Sequence, residues 1–256
     1  MVFSYSDFLQ LVGLYFYPFV RLTAMFSIVP LFSSQSFNSR AKIILSLLIT
    51  LIIAPNLPLP EPVSPFTWQG VLLIMQQVLI GLAMGTIFLI VFQAFVFAGH
   101  MISLAMGLAF ATMVDPASGV QSPVVSQYYI ILVSLLFLGL NGHLLVIHLL
   151  ADSFQYLPVG LHSLSPDSLK MIFNFGSYIF SAGLLIALPS VTALLLVNIS
   201  FGVIARAAPA LNIFAVGFPV TLMVGLVMLG LTTPVLLPHF QELMNRAVEL
   251  LHHLHF

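Results

Sequence analysis

Gly107-Leu-Ala-Phe-Ala-Thr-Met-Val-Asp-Pro-Ala-Ser-Gly-Val-Gln-Ser-Pro123 breaks a long apolar run, and Asp115 within it is the one charged residue between Glu61 and Asp152. Asp-Pro followed by Ser-Gly is turn chemistry, because Pro fixes φ and Gly tolerates φ > 0. The flanking Leu108, Phe110, Met113 and Val114 are too apolar for an ordinary exposed loop. Irregular backbone at membrane depth must be buried in protein or line a water-filled cavity. The stretch therefore reads as a plug or gate, with Gly107, Phe110, Met113, Asp115, Pro116 and Gly119 as its candidate residues.

The rest of the chain sets that reading in a membrane. Of 256 residues, 61% are hydrophobic and 5% charged, against roughly 25% charged in ordinary globular domains, and mean hydropathy is +1.16. A polytopic, all-α membrane protein is expected. The net charge of −1 argues against nucleic-acid binding or a polybasic lipid patch. Cys is absent, which excludes disulfides, thiolate metal sites and a Cys nucleophile. The first charge is Asp7, and Arg21 lies within the first apolar segment rather than before it, so a cleavable signal is not expected.

Six spans are expected. The first, about Phe8 to Phe32, contains Pro18 and Arg21. A charge inside a span costs about 2.5–3.5 kcal/mol on insertion scales, so Arg21 either faces protein or water or snorkels to an interface. The second, Ile43 to Ala54, reaches only about 18 Å at 1.5 Å per residue, short of a hydrocarbon core of about 30 Å. A Pro-rich connector from Pro55 to Pro65 leads to Trp68, an interface anchor. A third helix then runs to about Phe97 and carries Gly81-Leu-Ala-Met-Gly85, small residues at close-packing spacing. After Gly99-His100 a short apolar stretch, Met101 to Met106, leads into the opening segment.

Pro123 starts a fourth helix to about Leu150, kinked at Asn141-Gly-His143. Residues Ala151 to Lys170 read as a solvated loop. A hairpin follows, with arms Met171–Ile204 and Asn212–Leu237, a kink at Pro189, Asn198 bonding another helix or a backbone carbonyl, and a basic tip at Arg206. From His239 onward, Phe240, Leu243, Met244, Ala247, Leu250, Leu251 and Leu254 share one face, an amphipathic helix packed on a partner or lying on a surface. With Arg40 and Lys42 cytoplasmic by the positive-inside rule, the N-terminus lies outside and Arg206 inside.

No catalytic constellation or cofactor motif is visible. His143 and His148 sit five apart, while His252, His253 and His255 crowd the tail. Metal ligands on a helix face prefer spacings of three or four with carboxylate or Cys partners, so no metal site is expected. Asp115 admits two readings, an intramembrane proton carrier or a turn-former that caps backbone amides.

The motifs resemble those of the FliR proteins of the bacterial flagellar export gate, related to the SctT-type proteins of type III secretion injectisomes. The residues that carry the resemblance are Pro30 with Arg40 and Lys42, Gln76-Gln77-Val-Leu-Ile-Gly-Leu-Ala-Met-Gly85, and Met106-Gly-Leu-Ala-Phe-Ala-Thr-Met-Val-Asp-Pro116. Further along they are Phe137-Leu-Gly-Leu-Asn-Gly-His143, Ala187-Leu-Pro189, Leu195-Leu-Val-Asn198 and Arg206-Ala-Ala-Pro-Ala-Leu-Asn-Ile-Phe-Ala-Val-Gly-Phe-Pro219.

The resemblance implies a non-enzymatic core subunit of a protein-export channel in the inner membrane and flagellar basal body, partly raised toward the periplasm. It implies assembly with FliP and FliQ, with FlhB and FlhA nearby, within the basal-body ring. It implies passage of unfolded export substrates through a pore that residues 107–123 plug. It also implies a FliP-like part over residues 1–170 and a FliQ-like hairpin plus tail over 171–256. Arg21, Gly81, Gly85, Asn141, Pro189, Asn198 and Arg206 are then candidates for helix packing or assembly. A small-solute secondary transporter, with a broken-helix site near residues 98–123, is the alternative of a different class.

Overall fold

The computed structural model describes residues 5–33, 38–57, 63–108, 123–160, 165–208 and 213–253, and all regular structure among them is helical. The helices are α1 (Tyr5–Ile28), α2 (Ser39–Ile53), α3 (Trp68–Ala105), α4 (Val124–Gly139), α5 (Gly142–Tyr156), α6 (Pro166–Gly176), α7 (Tyr178–Ala207), α8 (Ile213–Thr232) and α9 (Leu236–His253). A single turn at Pro30–Ser33 follows α1. Among the described residues, five stretches are long and apolar enough to cross a membrane, and α4 with α5, bent by 67° at their junction, can form a sixth.

Helix ends follow local chemistry. Asn38 Oδ1 accepts from the Arg40 amide at 3.0 Å and caps α2. The second helix therefore starts four residues before the expected Ile43, carries Arg40 and Lys42 in its first turn, and gains length at its basic end. Thr67 Oγ1 accepts from the Gly70 amide at 3.2 Å and caps α3. The α4–α5 junction turns on Asn141, whose φ of 57° lies in the left-handed region that Asn tolerates better than most residues.

Several expected boundaries are displaced. α3 does not end near Phe97 but continues through Gly99 and His100 to Ala105. Gly99 serves close packing rather than chain breaking: an added Cβ would lie 2.7–2.9 Å from the backbone of Val125 and Ser126. The expected loop at 151–170 is helical at both ends, as α5 runs to Tyr156 and α6 starts at Pro166. The start of α6 is built by Ser165, which accepts from the Ser168 amide at 3.1 Å, with Pro166 at the first helical position. The first hairpin arm is likewise not continuous from Met171, since a break at Ser177 separates α6 from α7. Pro189 lies inside α7, which continues to Ala207.

The chain forms two compact units. The first comprises Met1–Ile90, Leu138–Gly176 and Met244–Phe256. In it α1 packs on α2, and Ser46, Ile49 and Thr50 are the buried residues of α2. Ser46 and Thr50 return their hydroxyl protons to carbonyls one turn back, at 2.8 and 2.7 Å, so burying them strands no donor. The opposite face of α2 exposes Ile43, Ile44, Leu47, Leu48, Leu51 and Ile52. Such a face needs lipid or protein against it.

The same unit contains the Gly81/Gly85 pair. A Cβ on Gly81 would collide with the Arg21 carbonyl oxygen and lie 2.9 Å from Ala24 Cβ; one on Gly85 would lie 3.0 Å from the Met25 carbonyl. The two glycines thus let α3 approach the backbone of α1.

The second unit comprises Val91–Phe137 and Ser177–Leu243. Its core includes Phe92 against Phe137 at 5.5 Å and Phe240 against Phe92 and Phe95 at 6.2 and 6.0 Å between ring centroids. α7 and α8 pack as a hairpin, and Gly183 brings α7 to within 2.7 Å of the Ala94 carbonyl, measured from the Cβ it lacks. In the amphipathic tail Phe240, Leu243, Met244 and Ala247 are buried against this chain, while Gln241, Glu242, Asn245 and Arg246 are exposed.

Gly81→Ala and Gly99→Ala are expected to lower stability by about 1–3 kcal/mol through overpacking, although Ala favours an isolated helix by about 1 kcal/mol. Gly202→Ala, where nothing lies within 4 Å of the added Cβ, is expected to be neutral or stabilising. Thermal unfolding of the detergent-solubilised protein distinguishes these outcomes.

Candidate functional site

Of the expected plug residues, Phe110, Met113, Asp115, Pro116 and Gly119 lie outside the described residues. Gly107 is described, and it ends α3. Its φ is 78°, its amide donates to the Leu104 carbonyl at 3.0 Å, and the Leu108 amide donates to the Ser103 carbonyl at 3.1 Å. This pair of bonds around a left-handed Gly is the Schellman arrangement.

A helix leaves its last four carbonyls without intrahelical donors. At the end of α3 the remaining two, of Ala105 and of the capping residue Met106, meet the hairpin. Asn198 Nδ2 of α7 donates to Ala105 O at 3.4 Å. Thr221 Oγ1 of α8 lies 3.4 Å from Met106 O and 2.9 Å from Phe218 O, sharing one proton between them. Met106 is buried and fills the space Gly225 leaves, its side-chain atoms 2.5–2.7 Å from where a Cβ would stand. On the far side of residues 109–122, Ser126 Oγ at the start of α4 donates to Val96 O of α3 at 3.1 Å. Both stems of the segment are thus tied down within the second unit.

The first unit holds the other candidate centre. Arg21 is fully buried, so the side chain faces protein rather than snorkelling to an interface. Nε donates to Gln77 Oε1 of α3 at 2.8 Å, Nη1 to Ser153 Oγ of α5 at 2.9 Å, and Nη2 to the Leu157 carbonyl at 2.9 Å. The guanidinium carbon lies 3.9 Å from the centroid of the Phe154 ring, within cation–π range. Ser153 passes its own proton to Leu150 O at 2.6 Å, leaving a lone pair for Arg21. No carboxylate forms a salt bridge with Arg21 among the described residues. Its counter-charge is the C-terminal end of α5, where Leu157 is the capping residue and the helix carries roughly half a negative charge.

This arrangement is structural in its chemistry. A cleft of about 30 Å³ beside Ser153 and Leu157, lined also by Met84, Asp152 and His252, has room for a water molecule rather than a substrate. Asp152 pairs with His148 at 2.8 Å. No group of three or more metal-ligating side chains is assembled among the described residues.

The remaining candidates sit apart from both centres. Asn141 is the hinge of α4 and α5, Pro189 is exposed on α7, and Arg206 is exposed in its last turn. Sequence reading missed Ser153, Phe154, Thr221 and Gly225. Gln77 carried a usable signal, since a side-chain amide inside an apolar span marks a partner.

Arg21→Met is expected to strand Gln77 Oε1, Ser153 Oγ and the Leu157 carbonyl, at about 1–3 kcal/mol for each buried group. Arg21→Lys should fail nearly as badly, because an ammonium lacks the planar fork, whereas Ser153→Ala should cost about 1–3 kcal/mol. The amount of folded protein recovered from membranes, and its melting temperature, report these losses.

Comparison with known proteins agrees with an export component. The family described as "Bacterial export proteins, family 1" matches residues 12–247. The chain is 42% identical to the flagellar biosynthetic protein FliR of Pectobacterium carotovorum, over 98% of this chain and 96% of that one. It is 41% identical to the FliR protein of Escherichia coli, over 96% and 94%, and 29% identical to that of Bacillus subtilis, over 92% of each. With an all-helical fold and membrane-length apolar helices, the chain belongs to the FliR family of bacterial export proteins, non-enzymatic membrane components of flagellar biosynthesis.

Proposed function

We propose that the chain is a core subunit of the flagellar type III export gate, helping to nucleate the channel, lining its pore and closing it with residues 107–123. The observation that carries this reading is the stem geometry. One end is held by the Gly107 and Leu108 amides on α3 carbonyls and by Asn198 of α7, and the other by Ser126 on the Val96 carbonyl of α3. An apolar segment held at two rigid stems is suited to occupying a pore, whose lining tolerates irregular backbone. By residue type, Phe110 and Met113 bring deformable apolar bulk, Asp115 and Pro116 are turn-favouring, and Gly107 and Gly119 tolerate φ > 0.

Exposed apolar faces support assembly. Only 22% of the most apolar window of the α2 span is buried, and 28% of those of the Pro166–Ala207 and Ala215–His253 spans. FliP and FliQ subunits are the proposed neighbours, with FlhB, FlhA and the basal-body ring around them and unfolded export substrates as cargo. Residues 1–170 form the proposed FliP-like part, and 171–256 the FliQ-like hairpin and tail. Arg21, Gly81, Gly85, Asn141, Pro189, Asn198 and Arg206 serve packing or assembly. Embedding in a protein ring, raised toward the periplasm from the inner membrane, suits a second helix near the lower length limit for crossing a bilayer.

Deletion of Ala111–Gly119 is expected to leave the assembly intact and make it leak ions. Phe110→Ala or Met113→Ala should leak less than the deletion, and Asp115→Asn should leave export working. Conductance of the purified complex in planar bilayers tests this; normal assembly with unchanged conductance rejects pore closure.

A further inference from the structure

We infer that Asn198, Thr221 and Gly225 are positioning residues of the export apparatus: from the α7–α8 hairpin they set the point and direction at which the chain leaves α3. Three observations meet at one place. The four carbonyls at the α3 terminus, Ser103 to Met106, are all answered, two by the Gly107 and Leu108 amides and two from the hairpin. The hairpin donors come from separate helices, so the α3 terminus is gripped from two sides. Met106, between them in sequence, is seated in the notch at Gly225, which fixes the rotation of the last turn as well as its hydrogen bonding.

The physical need is clear. A helix that simply stops inside an apolar environment leaves carbonyls that cost about 1–3 kcal/mol each when unpaired. Without Asn198 and Thr221, the α3 terminus would lower that cost by fraying or by winding further, either of which redirects everything after Leu108. The hairpin thereby acts as the stop that selects the Gly107 exit. Thr221 Oγ1 contributes only part of its proton to Met106, since Phe218 O is nearer. Asn198 Nδ2 reaches the Ala105 carbonyl at 3.4 Å from an exposed position. Gly225 acts by shape alone.

The stem's geometry is independent of what residues 109–122 do, so its test separates from that of pore closure. Asn198→Leu, Thr221→Val and Gly225→Ala are placed in the full export complex, with Asn198→Gln and Thr221→Ser as variants that keep a donor. Hydrogen exchange is followed at the Gly107 and Leu108 amides, and export is followed as swimming motility. Each of the first three variants is expected to speed exchange at those two amides roughly five-fold, the loss of about one net hydrogen bond, and to reduce motility. Thr221→Ser should restore both readouts. Gly225→Ala keeps every polar group and displaces only Met106, so it remains informative where a polar variant misassembles.

Unchanged exchange at Gly107 and Leu108 in an assembled Gly225→Ala or Asn198→Leu complex overturns the inference. Faster exchange with undiminished motility removes the functional role. Loss of pore closure as a reading shows instead as an unaltered conductance in the Ala111–Gly119 deletion, whatever these variants do.

Discussion

A full positive charge buried in an apolar helical unit constrains everything around it. Arg21 has no carboxylate to neutralise it among the described residues, and its three acceptors are an amide, a hydroxyl and a main-chain carbonyl. That works only because the carbonyl is at the C-terminus of α5, where peptide dipoles concentrate negative potential. α1, α3 and the end of α5 therefore have to meet at one point, and the glycines at 81 and 85 supply the close approach of α3 to α1 that this demands. The order of dependence runs from charge to helix terminus to glycine spacing.

The second unit meets a related problem without a charge. α3 ends inside the protein, and its four orphan carbonyls are satisfied by two of its own following amides and by neutral donors on two other helices. Charge at one helix terminus and neutral donors at the other reflect their surroundings. At α5 one buried cation can serve two partners on the same helix end plus a third on α3. At α3 the partners lie on separate helices, and a cation there would have to be desolvated a second time.

A flagellar export component of this kind needs surfaces that face outward into other apolar matter, and α2 and the α7–α8 hairpin have them in abundance. The buried residues are fewer and more specific: small, aromatic, or polar with a named acceptor. The chain thus combines interior contacts that define helix ends with exterior apolar faces open to lipid or protein.

Much of this was legible from residues alone. Hydropathy and the shortage of charge dictate membrane-length helices, because apolar backbone in a water-poor medium has to be helical. Ordered motifs along the chain point to the family. Local end signals are also present: Ser165-Pro166-Asp167 is a helix start by cap, Pro and charge, although the polar residues around it suggest a loop. Gly99-His100 suggested a break because Gly and a polar neighbour usually mark one, but packing against Ser126 uses the missing Cβ and the helix continues. The tail's apolar stripe was readable as a face, not as to what covers it. What only tertiary structure decided is which distant residue answers which helix end: Arg21 with Ser153 and Leu157, Ala105 with Asn198, Met106 with Thr221 and Gly225. Periodicity records that a face is buried or a terminus exposed, whereas the identity of the partner depends on contacts dozens of residues apart in the chain, which no local pattern encodes.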